Sequence, residues 1–378
     1  MKVLIAIDSF KGSLTSLEAG LSAKEGVKRV YPNAEVEVSP IADGGEGTVE
    51  ALITALDGEL VKVKVLNPLG EEIFAEYGIV NNTAIMEMST CAGITLVEKE
   101  KLNPMIATTY GVGQMIEDAL NRGVRKFIIG IGGSATNDGG VGMLSALGFE
   151  FLDKNGEKIS FGAKGLSDLD KIKIDKANPK LKESQFFVAC DVKNPLCGES
   201  GCSRVFSRQK GAKEEDIPIM DEWLSNYADI TKTVIESADK NAFGTGAAGG
   251  MGFALLNYLN ATLQSGIELV LKEIKLEEKV KDVDLVITGE GKIDGQTAFG
   301  KAPIGVAKLA KKYGKTVFAF AGAVDDDAKT NNDFGLDAIF SITPSACSLE
   351  KAMNKDNAKK NMANTVEQVL RAYKKARE

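Results

Sequence analysis

Val283–Ala307 reads VDLVITGEGKIDGQTAFGKAPIGVA. Asp284 to Thr288 has the pattern of an apolar strand. It runs into Gly289-Glu290-Gly291, passes Asp294 and Thr297, and reaches Gly300-Lys301, with a helix expected from about Pro303. The stretch therefore predicts a strand to Thr288, a loop, then a helix. Loops at the carboxyl ends of strands are where open α/β folds bind ligands. Two acids, a hydroxyl, a lysine and four glycines suit this loop to phosphates and a divalent cation.

The same rhythm appears at the amino end. VLIAI (3–7) predicts a buried strand, followed by the polar turn Asp8-Ser9-Phe10-Lys11-Gly12-Ser13. Ser16 is placed to cap a helix to about Val30, with Leu17, Leu21, Lys24 and Val27 on one face. Glu35–Ser39 alternates as a second strand. Asp43-Gly44-Gly45-Glu46-Gly47-Thr48 then leads into a helix to about Leu56. From Glu59 to Met88 the pattern changes to strand-like runs split by Asn67-Pro68-Leu69-Gly70 and Asn81-Asn82, which predicts antiparallel or mixed pairing. Further strands are expected at Phe127–Ile131, Phe186–Cys190, Thr316–Ala321 and Ala338–Ile342. Helices are expected near 108–121, 216–237 and 247–263, and at the carboxyl end, where Met362, Val366, Val369, Leu370 and Tyr373 form a core stripe. Repeats and low-complexity tracts are absent. The economical architecture is α/β: a Rossmann-like parallel-sheet domain, discontinuous over about 1–62 plus 280–378, with a second α/β domain of mixed sheet (63–279) inserted and the active site in the cleft between them.

Composition narrows the function. The chain has 378 residues and a formal charge of −7, which argues against a nucleic-acid or anionic-membrane surface. No apolar run reaches the ~18 residues of a membrane helix. The amino terminus passes straight into a strand pattern, so no signal peptide is expected. Five cysteines without a secretion signal read as reduced thiols of a cytoplasmic protein, and Cys197-x4-Cys202 alone is a poor zinc site. Histidine is absent, which removes histidine triads, dyads and metal sites. Proton transfer falls to Asp, Glu, Lys, Tyr or Cys.

Three nucleotide fingerprints are approached and missed. Gly130–Ala135 matches G-x-G-x-x-A after a strand, but Asn137-Asp138-Gly139-Gly140 interrupts the following helix. Gly244–Gly249 matches G-x-G-x-x-G with no strand before it. Gly295–Lys301 matches G-x4-G-K, then has Ala302 where a P-loop needs Ser or Thr. Any one of these loops alone reads equally well as turn glycines and helix caps, with Asp43 and Asp138 as caps and Lys11 solvated. What carries the case is their co-occurrence. Several loops combine glycine pairs with acids, amides, hydroxyls and lysines, and a sheet of this topology places such loops on one edge. Phosphoryl transfer needs those groups and no histidine.

Seven ordered motifs then stand out: DSFKGSLTS (8–16), ADGGEGT (42–48), IGGSATNDGG (131–140), ACDVKNPLCG (189–198), QKGA (209–212), GAAGGMG (246–252) and TGEGKIDGQTAFGKAPIGVA (288–307). With them the chain closely resembles the bacterial type I glycerate kinases (the glycerate 2-kinase family) nearly end to end. It departs from the family at Ser207-Arg208, where a Gly-Pro is usual, and at Cys202, where a small residue is usual. The resemblance implies ATP- and Mg²⁺-dependent phosphorylation of D-glycerate, favouring the 2-hydroxyl. Asp43, Asp191 and Lys11 are the expected catalytic residues, one acid taking the hydroxyl proton and the other holding Mg²⁺. Ser9, Gly44, Gly45, Gly132, Gly133, Ser134, Asn137, Asn194, Lys210, Thr297 and Lys301 would contact substrate or phosphate. Asp138, Glu290 and Asp294 would contact the metal. A glycerate 3-kinase, a nicotinamide-dependent dehydrogenase of a small hydroxy acid and a non-catalytic nucleotide-binding regulator are the competing readings. Oligomeric state is not encoded in the pattern; a homodimer is compatible with it.

Overall fold

A computed structural model describes all residues, 1–378. It divides into two compact units. Unit 1 comprises 1–43, 50–57 and 267–378; unit 2 comprises 44–49 and 58–266.

Unit 1 is built on five parallel strands: β1 (Lys2–Ile7), β2 (Glu35–Val38), β11 (Leu285–Ile293), β12 (Thr316–Val324) and β13 (Ala338–Ser341), in the order β13-β12-β11-β1-β2. Parallel strands covered on both faces need continuous apolar runs, and β1 is buried from Val3 to Ile7. One face packs Ile5, Ile287 and Phe320 against Ala23, Val27, Met362 and Val366 of the helices Ser16–Val30 and Lys355–Arg377. Thr15, not Ser16, caps the first of these helices. Its hydroxyl accepts from the Glu18 amide at 3.3 Å, and the Glu18 carboxylate accepts from the Thr15 amide at 3.2 Å. The Ser16 hydroxyl instead donates to the Ile7 carbonyl and accepts from the Ile41 amide at 2.9 Å, pinning the end of β1 to the segment after β2.

The buried face of this helix also differs from the expected one. Leu21 is 49% exposed, while Ala19, Gly20, Ala23, Gly26 and Val27 are buried. A Cβ on Gly26 would meet Val366 Cβ at 2.8 Å, so the contact needs small residues. Helices this close select by size, not hydropathy, and a Leu-based periodicity misses the seam.

β11 corrects the opening stretch. The strand does not end at Thr288: it continues through Gly289-Glu290-Gly291 to Ile293, with Gly289 opposite Phe320, Glu290 opposite Ala321 and Lys292 opposite Ala323. A Cβ on Gly289 would lie 2.0 Å from the Phe320 carbonyl oxygen, so this glycine permits close approach and makes no turn.

Unit 2 holds a mixed sheet. β3 (Glu59–Leu66), β4 (Glu72–Val80) and β5 (Thr83–Glu87) are antiparallel. β5, β6 (Lys126–Gly130), β9 (Gln185–Ala189) and β10 (Thr262–Gln264) are parallel, giving the order β10-β9-β6-β5-β4-β3. A small antiparallel pair, β7 (Glu150–Leu152) with β8 (Lys171–Lys173), lies outside this sheet. Residues 247–263 are not one helix. The helix ends at Tyr258, β10 follows, and Ala248, Gly249 and Gly250 form a left-handed kink inside it. No helix is long and apolar enough to cross a membrane.

Candidate active site

In unit 1 the carboxyl ends of β1 and β11 bring three acids and two lysines to one cavity: Asp8, Asp43, Glu290, Lys11 and Lys301. Asp8 follows β1 directly, and its amide donates to the Gly289 carbonyl at 2.9 Å. It is 4% exposed, and its Oδ1 accepts from the Ser9 amide at 2.6 Å. Burial first, then the facing Asp43, pushes its pKa up to about 7; the Ser9 amide and Lys11 pull the other way. The Lys11-Gly12 turn that follows is exposed.

Glu290, 8% exposed on its strand, accepts from the Thr297 hydroxyl at 2.7 Å and has Lys301 Nζ at 3.8 Å. Burial raises its carboxyl above the ordinary value, with Asp43 and Asp294 adding to the effect and Thr297 and Lys301 opposing it. Asp294 has a structural task. Its Oδ1 caps the turn Gly295–Phe299 by accepting from the Gln296 and Thr297 amides at 3.0 and 3.2 Å, and it also has Lys301 at 3.5 Å. Lys301 thus stands between two carboxylates, held ready for a more highly charged anion.

In unit 2, Gly44 has φ +90°, and a Cβ there would meet Ala189 Cβ at 2.5 Å and Gly266 Cα at 2.7 Å. Gly44 therefore passes where no side chain fits. Glu87, unremarked in the sequence, fixes the far end of this loop by accepting from the Val49 amide at 2.8 Å. Gly132 and Gly133 are exposed just beyond β6. Asp191 is exposed beyond β9, with Oδ1 3.3 Å from the Gly266 amide. Asn194 Nδ2 donates to the Ser200 carbonyl at 2.8 Å.

Besides Thr297, fully buried with its hydroxyl on Glu290, four predicted contacts of unit 2 lie inside the protein: Ser134, Asp138, Asn137 and Lys210. Asp138 is fully buried. Its carboxylate accepts from the Thr109 amide and hydroxyl at 2.9 and 2.8 Å and from the Gly140 and Gly142 amides at 3.1 and 3.2 Å. Those four donors occupy the oxygens a metal would need. Asn137 is also fully buried and donates to Ser203 Oγ at 2.9 Å. Lys210, 2% exposed, donates to Ser134 Oγ at 2.8 Å and to the Thr136 carbonyl at 2.6 Å, and burial brings its pKa down to about 8. Lysine and aspartate here stitch the 132–142 loop from below. The departure at Ser207-Arg208 leaves this intact: Arg208 pairs outward with Glu214 at 2.6 Å, and Gln209-Lys210 stays in a helical turn closed by Gly211.

No three acids or thiols are gathered closely enough to hold a metal on their own. Mg²⁺ commonly takes one or two carboxylates plus substrate phosphates and water. Asp43 and Glu290, mutually repelling in one cavity beside two lysines, fit that partial cage.

The chemistry so assembled is that of an α/β phosphotransferase. A model described as the glycerate kinase family matches residues 3–374. A glycerate kinase of Bacillus subtilis (strain 168) is 44% identical, covering 100% of this chain and 99% of its own. A glycerate 2-kinase of Escherichia coli (strain K12) is 46% identical, covering 97% and 98%. A crystal structure from Salmonella typhimurium LT2, provisionally assigned as glycerate kinase 2, superposes with a TM-score of 0.92 at 43% identity over 100% of this chain and 99% of the other. The chain belongs to the glycerate kinase family, and it is a kinase.

Proposed function

We propose that the protein transfers the γ-phosphoryl group of ATP to the 2-hydroxyl of D-glycerate, giving 2-phospho-D-glycerate and ADP. The observation that carries this is the unit 1 cavity, in which Asp8, Asp43 and Glu290 face Lys11 and Lys301. The naming of the Escherichia coli relative as a glycerate 2-kinase supports the 2-position. Lys11 and Lys301 neutralise the phosphates, with Ser9 beside them, while the buried Thr297 holds Glu290 in place. Mg²⁺, held by Asp43 and Glu290, would draw charge from the phosphate oxygens when bound. Gly44, Gly45, Gly132, Gly133 and Ser134 offer amides and a hydroxyl to phosphate or to the substrate carboxylate, while Asn194 holds the turn to Ser200 after β9. Asp191, exposed beyond β9, takes the proton of the attacking hydroxyl as the oxygen–phosphorus bond forms and ADP departs. Asp138, Asn137 and Lys210 position the 132–142 loop. The protein is expected to act in the cytoplasm.

Product analysis by phosphorus NMR decides the matter. ATP, Mg²⁺ and D-glycerate should yield 2-phosphoglycerate. A 3-phosphoglycerate resonance would overturn the regiochemistry, and absence of ADP release would overturn the kinase reading.

A further inference from the structure

The unit 1 cavity, about 980 Å³, is too large for a three-carbon acid and sits at the upper end of ordinary ligand pockets. Its charged end is the Asp8–Glu290–Lys301 group. From there it continues past the ends of β12 and β13 into an apolar arm formed by Val324, Ile342, Ala346, Leu349 and Met353. The two ends are continuous, because Met353 Cε lies 2.8 Å from where a Cβ on Gly12 would stand, beside Lys11. Leu349, 74% exposed, stands at the mouth of this arm. On the same wall the half-buried Asn361 has a carboxamide without a hydrogen-bond partner in the protein. Ser341 and Thr343 are not in this position, since their hydroxyls donate to the Gly322 carbonyl at 3.4 and 2.7 Å.

Glycerate has no apolar face to place on this arm. The purine of a nucleotide has two, with donors and acceptors along its edge. We propose that the β12–β13 arm is the nucleoside subsite: the base lies against Ile342, Leu349 and Met353, Asn361 meets its polar edge, and the phosphate chain runs toward Lys11 and Lys301. This rests on the reading of the protein as an ATP-dependent kinase.

Cys347 supplies the probe, because it is an exposed thiol on the arm, whereas Cys91, Cys190 and Cys202 are buried and Cys197 half-buried. The full-length protein is labelled with a maleimide, and modification of the Cys347 peptide is followed by mass spectrometry. Saturating ADP should slow labelling at least tenfold; D-glycerate and inorganic tripolyphosphate should not. Leu349→Asp, at a position exposed enough to leave the fold intact, should raise KM for ATP about tenfold and change KM for glycerate by less than twofold. A protein that turns over ATP and glycerate while Cys347 labels equally fast with and without ADP overturns the subsite alone. So does a Leu349→Asp enzyme with unchanged KM for ATP, or protection that follows protein concentration in place of ADP, which would make the arm a contact between copies. Loss of ADP release from the parent protein overturns the kinase reading itself.

Discussion

Replacing Asp8 with Asn should stabilise unit 1 at pH above about 4, with the gain growing up to about pH 7 and level beyond it. Asp8 titrates from 3.8 in the unfolded chain to about 7 in the fold. The folded state therefore binds more protons between those values, and stability falls as pH rises through the window. Each pK unit is worth about 1.4 kcal/mol, so the penalty approaches ~4 kcal/mol at pH 8 and vanishes below pH 4. Asparagine resembles the protonated acid in size and charge, and its carbonyl oxygen can still accept from the Ser9 amide. The variant should match the parent at pH 4 and exceed it at pH 8 by roughly 2–4 kcal/mol. The assay is urea unfolding in EDTA, without nucleotide, at both pH values. The single tryptophan, Trp223, lies in unit 2, so unit 1 must be read by hydrogen exchange of the β1 and β11 amides. An equal gain at both pH values would refute the argument, because a charge penalty must titrate. A loss at pH 8 would show the carboxylate to be stabilising as an anion.

Asp191→Asn should lower kcat by more than about tenfold, or ~1.4 kcal/mol in barrier, at unchanged melting temperature; a smaller effect removes it as proton acceptor. Lys301→Ala should weaken ATP binding and, because Glu290 and Asp294 then lose their shared cation, also lower the thermal midpoint; steady-state kinetics and a melt read the two separately. Gly249→Ala should be destabilising by more than about 2 kcal/mol in thermal or urea unfolding, because φ is +68° and the new Cβ would meet the Thr136 carbonyl oxygen at 2.1 Å.

The fold class was legible because parallel strands buried on both faces write continuous apolar runs, as VLIAI does, and because the 59–88 block alternates differently. Three-residue strands such as β7, β8 and β10 are too short to show a period. Glycine misled twice, in opposite senses. At Gly289 it suggests a strand end and lies in a strand interior. Along Ser16–Val30 the leucines drew the helix face, while Gly20 and Gly26 make the seam. At the site, residue type announced the chemistry but not its accessibility. Asp138 and Lys210 have the composition of ligands and the burial of struts. Asp8 is masked in the sequence because it reads as the first polar residue of a turn. The signal was there, since Asp8 directly follows β1, whose last residue Ile7 pairs with Gly289, and so comes level with Glu290 on β11.

The order of strands in unit 1 has a consequence during synthesis. β1 leaves the ribosome early, yet its central partner, β11, begins at Leu285, and the helix that covers its face ends at Arg377. Most of unit 2 lies on one uninterrupted stretch, 58–266, and can close its core while unit 1 waits. For that interval β1 shows water an apolar, unpaired edge, the kind of edge on which chains pair wrongly. Released chains truncated after residue 275 should give a protease-resistant fragment covering 58–266 and lose the first forty or so residues quickly; an equally resistant amino end would show that β1 finds shelter before its partner exists.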